Sequence, residues 1–384
     1  MCDIFLYVSI TIYLVCRFLE YTVFSVSEFT ESAKMISYII MLLCISIRII
    51  VNFRSDKKKN IFFIFLFLFF FIFSIFFDAS TGVACIGFAF CVDKYNNKPL
   101  FKYLLFLFIL LLSCGILGGF FKFNSFSREF GDTRERCAFS FEHPYVIQSM
   151  WFSIMSLIIY LKEKFTVKEM FILGSITLIF YMLCGTRASL ISSFLLLFLY
   201  YILEKKPSSN LNYIFKYIYW LCFLLSTILV FLYTFNKAKF ILLPLDNIFS
   251  GRISMASRFY VGVCQEKIPI LPIDQNIIDL EVLWNEYALK SLILDSEYSD
   301  LLFKFGLIYS SVTIFIMNKF TLMACKQGKK IYIILGVSAI NALMQQSILT
   351  IFFNPIILLI FSTIFDNKSE NKKRIKYEAI FKNN

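Results

Sequence analysis

The sequence predicts an all-α polytopic membrane protein, and three observations carry that prediction. Hydrophobic residues make up 59% of the chain against 17% charged, and the mean hydropathy is +0.74, whereas a soluble domain is nearer half apolar. Apolar runs long enough to span a bilayer recur from end to end. The intervals between them alternate between basic and mixed charge. Together these read as about twelve transmembrane helices with both termini cytoplasmic. Residues 1–384 form one integral membrane domain with outer loops at 120–142 and 236–296 and a basic cytoplasmic tail at 366–384.

A spanning helix needs roughly 20 apolar residues, and fewer when it is buried in a bundle. On that ruler the spans fall near 4–24, 34–53, 61–77, 80–93, 101–119, 143–161, 168–184, 187–203, 212–235, 297–317, 331–347 and 349–365. The first lacks a basic leader and a small-residue cleavage site, so it is expected to stay as a signal anchor. The fourth is short and follows the turn at Asp78-Ala79-Ser80-Thr81-Gly82. The last two are separated by little beyond Gln345-Gln346-Ser347.

Charge sets the orientation. Arg54 with Lys57-Lys58-Lys59, then Lys94 with Lys98 and Lys102, then Lys162 with Lys164 and Lys168 occupy alternate intervals. Lys205-Lys206, the lysines from Lys319 to Lys330, and the tail around Lys372-Lys373-Arg374 continue the series, which belongs in the cytoplasm. The excess of 38 Lys+Arg over 26 Asp+Glu is thus a topology signal, and no nucleic-acid partner is expected. The opposite loops are balanced: from Asn236 to Asp295, six bases face seven acids. Within that long loop Ile277, Leu280, Trp284, Tyr287 and Ala288 recur at helical spacing among charged residues, an amphipathic helix for the interface.

Most of the 11 cysteines sit in apolar runs, no CxxC pair occurs, and His143 is the only histidine. A Cys/His metal site therefore has no support. Cys137 and Cys264 both fall in outer loops, where pairing is the minor reading.

Candidate chemistry gathers in the outer polar segments. The run Arg136-Cys137-Ala138-Phe139-Ser140-Phe141-Glu142-His143-Pro144 opens the sixth span. Pro144 suits a first helical turn, which puts His143 at the positive end of a helix dipole, favouring a neutral, proton-accepting imidazole. The plainer reading is a capping residue. Arg187 stands in the tight turn Cys184-Gly185-Thr186-Arg187-Ala188-Ser189, either a snorkelling anchor or a bidentate phosphate ligand. Ser250-Gly251-Arg252, with Arg258 six residues on, is a third arginine segment. Asp295 and Tyr298 border the tenth span and are placed to orient those arginines or bind sugar hydroxyls, with N-capping the simpler role for Asp295.

The His-Pro run, the Thr-Arg-Ala-Ser turn, the outer Ser-Gly-Arg and the Asp295, Tyr298, Gly306 set occur in that order beside a large late outer loop. In this the chain resembles the Wzy-type O-antigen and capsular polysaccharide polymerases and, more distantly, the O-antigen ligases, over roughly residues 120–310. It departs from them in having Glu142 and Tyr145 around His-Pro and in lacking a clear pair of long arginine-to-glycine repeats.

The resemblance implies a metal-independent glycosyltransferase of the bacterial cytoplasmic (inner) membrane with no cofactor. Its substrate is an undecaprenyl-diphosphate-linked oligosaccharide, joined to a new repeat unit on the outer face, and its expected partners are membrane lipids, a chain-length regulator and a flippase. Arg252 then stabilises the diphosphate charge while Arg136, Arg187 and Arg258 hold diphosphate and saccharide. His143 is the general base, with Glu142 in reserve, and Asp295 and Tyr298 bind substrate. The alternatives are a flippase or transporter of lipid-linked oligosaccharide, and a ligase.

Overall fold

The computed structural model describes residues 2–22, 27–52, 57–77, 80–92, 97–121, 126–127, 136–162, 164–205, 214–235, 239–249, 251–273, 294, 296–327, 330–345 and 347–365. These residues are almost entirely helical. The first half contains α1 (Cys2–Glu20), α2 (Ser27–Asn52), α3 (Lys57–Phe77), α4 (Ser80–Cys91) and α5 (Asn97–Phe121). A two-residue pair of strands, β1 (Phe126–Ser127) and β2 (Arg136–Cys137), precedes α6 (Pro144–Leu161), α7 (Val167–Cys184) and α8 (Arg187–Lys205). Then come α9 (Ile218–Thr234), α10 (Lys239–Ile248), α11 (Arg252–Gly262), α12 (Glu297–Phe303), α13 (Gly306–Lys326) and α14 (Ile331–Asn341). A 3₁₀ turn, Pro355–Leu359, runs into α15 (Ile360–Ile364).

Among the described residues six helices are long and apolar enough to cross a membrane: Glu28–Val51, Lys57–Phe76, Asn97–Phe120, Pro144–Leu161, Val167–Cys184 and Gly306–Lys326. The chain is therefore a helical, multi-pass membrane protein. Five further apolar helices among the described residues are shorter, Ser80–Cys91 among them. α4 has 12 residues, which makes it roughly 18 Å long against a hydrocarbon core of about 30 Å. Gly82 through Cys91 are all buried, so α4 is packed inside the bundle against α2, α3 and the 3₁₀ turn.

Water cannot drive helix association inside a bilayer, so packing and polar contacts between helices must do it. Between α1 and α2, Ser9 Oγ donates to the Ser37 carbonyl at 2.7 Å and Ser37 Oγ returns a bond to the Ser9 carbonyl at 2.8 Å. Lipid-facing surfaces stay apolar, as at Phe171 and Met182 of α7. The start of α7 carries a capping box, Thr166 with Glu169, and its end is closed by Gly185 in the left-handed region at φ 69°.

Three of the expected elements differ. The tenth span is interrupted: α12 ends at Phe303 and α13 begins at Gly306, which has φ +81°. A Cβ on Gly306 would lie 2.6 Å from the Leu271 carbonyl carbon, because residues 269–273 pack directly on the break. Their carbonyls take up its freed donors, Leu307 N to Pro269 O at 2.8 Å and Ile308 N to Ile270 O at 3.2 Å. The last two spans are not continuous helices either, since residues 342–345 and 347–354 between α14 and the 3₁₀ turn leave helical geometry while largely buried. The segment expected as the long loop, 236–296, holds two helices, α10 and α11, whereas the amphipathic helix expected over 277–290 lies outside the described residues.

Candidate functional site

The Arg136–His143 segment owes its path to two glycines of α5. Phe139 has φ 52°, unusual for a side chain of that size, and its Cα would stand 2.5 Å from a Cβ on Gly119. The ring of Phe141 lies against Gly115, and Ser140 Oγ donates to the Gly115 carbonyl at 2.6 Å. From the other side the end of α1 takes hold: Glu142 N donates to Tyr21 O at 2.9 Å and Thr22 bridges Phe141. Nearby, Arg17 is ion-paired with Glu20 at 2.8 Å, and Glu20 also pairs with Lys34.

So held, His143 becomes the N-cap residue of α6, extended at φ −139°, ψ 135°, with Pro144 following. Its imidazole makes no capping bond and lies 5.0 Å, centroid to centroid, from the Tyr145 ring. Glu142 is exposed. Arg136 lays its side chain over the α7–α8 turn, with Cγ, Cδ and Nε each 3.4 Å from the Cβ position of Gly185. Arg187, two residues later, is exposed at the start of α8. Beneath it the Gln148 amide nitrogen, in its better-bonded orientation, donates to the Thr186 carbonyl at 2.7 Å. The first two arginine segments are thus brought together.

The third is built separately. Gly251, at φ +81°, turns the chain into α11, and the buried Asp246 carboxylate accepts from Ile253 N at 2.9 Å and Ser254 N at 3.2 Å. Arg252 Nη1 donates to the Phe249 carbonyl at 3.0 Å. Its side chain lines a cavity of about 20 Å³ with Ser226, Ser296, Ser299 and Leu343, room for one water. Arg258 is exposed on α11. Tyr298 is buried, and its hydroxyl donates to the Ala339 carbonyl at 2.9 Å. Asp295 lies outside the described residues.

The non-helical segment after α14 joins the two arginine groups. Gln345 Oε1 accepts from Ser149 Oγ of α6 at 2.9 Å and Ser189 Oγ of α8 at 3.1 Å. Ser192 Oγ donates to Asn341 Oδ1 at 2.8 Å, and Glu297 N donates to Ala342 O at 3.0 Å. Leu343 lines the Arg252 cavity. Residues 341–345 therefore contact α6, α8 and α12 close to where each begins. Sequence reasoning passed over Gln345, Glu297 and these serines. A signal was present: Ser149, Ser153 and Ser156, like Ser189, Ser192 and Ser193, repeat at helical spacing in apolar helices, the pattern of polar contacts between membrane helices.

Cys137 and Cys264 are both free thiols. Burial pushes the Cys264 thiol up to about 12, and its Sγ lies 3.6 Å from the Phe303 carbonyl oxygen as a weak donor. Burial also raises Cys137, partly offset by a backbone bond at Phe139. Among the described residues no three His, Cys, Asp or Glu side chains gather as a metal-holding group. Compared with known proteins, the chain matches no family model, no curated protein and no solved structure.

Proposed function

We propose that the protein is a polysaccharide polymerase that joins undecaprenyl-diphosphate-linked oligosaccharide units at the outer face of the bacterial cytoplasmic membrane, as in O-antigen, capsule or exopolysaccharide synthesis. In this reading the chain crosses about twelve times with both termini inside. The observation that carries it is the meeting of helix starts, and of Arg252, at residues 341–345. α6, α8 and α12 engage that segment within a few residues of their N-termini, and α11 begins at Arg252 beside Leu343. Each helix N-terminus carries roughly half a positive charge, and arginine matches phosphate oxygens with planar, bidentate donors. An anionic diphosphate suits such a place.

The reaction asks little else of the protein. An acceptor hydroxyl of the new repeat unit attacks the anomeric carbon of the growing chain. A glycosidic bond forms, the bond from that carbon to the diphosphate oxygen breaks, and the lipid diphosphate leaves with the electron pair. Arg252 stabilises the leaving charge, while Arg136, Arg187 and Arg258 hold donor and acceptor. His143 takes the hydroxyl proton, with Glu142 as the second candidate.

One observation favours a second reading, movement of the lipid-linked unit across the bilayer. Buried, discontinuous helices such as those around residues 342–354 are where transporters place their sites. Surface-glycan length on a gel separates the readings, in a deletion strain complemented with wild type, Arg252→Ala or Arg187→Ala. A polymerase leaves single repeat units on the outer surface when deleted, and the ladder returns with wild type alone. Units trapped inside identify a flippase, and finished polymer held on the lipid carrier identifies a ligase. Normal ladders with both arginine variants would remove this site assignment.

A further inference from the structure

Glu297 opens α12 and is 8% exposed. Its backbone N–H donates to Ala342 O at 3.0 Å, and its carboxylate accepts the backbone N–H groups of Ser347 and Ile348. The residue is clamped across the place where the chain leaves helix after α14. Its other carboxylate oxygen, Oε2, is buried and takes no hydrogen bond among the described residues, and neither do the hydroxyls of Ser296, Ser347 and Tyr219. Ser296 precedes Glu297, Ser347 supplies one of its donors, and Tyr219 of α9 lies within electrostatic reach.

Nothing basic among the described residues pairs with this carboxylate. The groups around it are acidic or neutral: Asp300 and Tyr298 on its own helix, Tyr219 on α9, Tyr309 on α13 and Tyr21 at the end of α1. Arg252 of α11 lines the cavity bounded by Ser296 and Ser299, where Glu297 takes no part. A bare carboxylate enclosed in a membrane bundle beside a second acid is costly unless a positive charge joins it. A carboxylate oxygen with hydroxyls, next to the C-terminal end of a half-helix, is an all-oxygen set of the kind that holds a small hard cation.

We propose that Glu297 is a cation site. Its Oε2, with the Ser296 and Ser347 hydroxyls, takes up one positive charge, a proton or a sodium ion, at the break between α14 and the Pro355 turn. Uptake neutralises the carboxylate by forming an O–H bond or an ion contact, and release restores it, with no other atom changed. This site borders the Arg252 cavity, which Ser296 also lines, and the proposal does not depend on which reaction takes place there.

The test uses the full chain in lipid nanodiscs. Melting of wild type and Glu297→Gln is followed from about pH 5 to about pH 9, in sodium chloride and in choline chloride. In choline chloride the wild type should lose several degrees as pH rises, because the enclosed carboxylate is left bare, and the permanently neutral Gln variant should not. A loss equal in both salts identifies the proton, and its reversal by sodium identifies the ion. Parallel melting of the two proteins in every condition would overturn the site. Should the variant not fold, labelling of wild-type Glu297 by dicyclohexylcarbodiimide, which attacks protonated carboxyls in apolar surroundings, decides. Labelling that falls with rising pH or added sodium supports the site, and labelling that is absent or indifferent to both refutes it.

Discussion

Asp246 Oδ1 accepts the backbone N–H of Ile253 at 2.9 Å, so the last turns of α10 cap the first turn of α11. The same oxygen reaches Ser254 N at 3.2 Å. Two donors that α11 cannot satisfy within itself are taken by one buried carboxylate, and the direction of Arg252 is set by a residue six positions earlier.

Removing that cap should therefore disturb Arg252 without touching it. Asp246→Ala is expected to cost about 1–2 kcal/mol of stability, and Asp246→Asn, which keeps an acceptor, distinctly less. Thermal melting of the purified variants measures both. An alanine variant that melts with wild type would mean that the cap contributes nothing.

Arg252 itself faces a different test. On the polymerase reading, losing one contact to the leaving diphosphate should lower the elongation rate about a hundredfold, roughly 3 kcal/mol. Arg252→Lys keeps the charge but loses the planar fork, so it should rescue little of that. Elongation by purified protein on lipid-linked repeat units gives the rates, and full rescue by lysine would reduce the role to simple charge.

The loop that delivers His143 depends on the bare backbone of α5. At Gly119 a methyl group would meet the Phe139 main chain at 2.5 Å, which cannot swing aside. Gly119→Ala should cost about 1–3 kcal/mol. Gly115→Ala meets only the end of the Phe141 ring and should cost less. Comparing the two melting temperatures checks the order.

Cys264 should be a poor nucleophile in the folded protein. Burial holds its thiol up to about 12, so near pH 8 the thiolate should be about a thousandfold scarcer than for a free cysteine. Folding keeps a proton that the unfolded chain releases above its ordinary value of about 8.5. This contribution to stability is therefore complete below that pH and is lost as pH rises toward about 12. Iodoacetamide labelling followed by peptide mass analysis should find Cys264 protected until the protein is denatured. Mild oxidation should also fail to link it to Cys137.

Much of the helical plan was readable in advance. The His143-Pro144 start of α6 and the Gly185 turn are local devices, and each lies where its residue types and spacing place it. The meeting of Arg136 with the Gly185 turn was less accessible, because β2 and α7 are far apart in the chain and no pattern within either names the other.

What the sequence by itself determined is the bilayer as solvent and the helices as the answer to it, since apolar runs with no water to satisfy their backbone must bond internally. Only the tertiary structure decided where that rule is suspended. At residues 304–306 and at 342–345 and 347–354 the backbone leaves helix, because residues 269–273 in the first case, and Glu297 and Ser153 in the second, supply the bonds that the helix gives up. Hydropathy counts side chains and is blind to such exchanges. The acidic side chain at the second break was therefore visible in the sequence as a letter, and its burial was visible only in the fold.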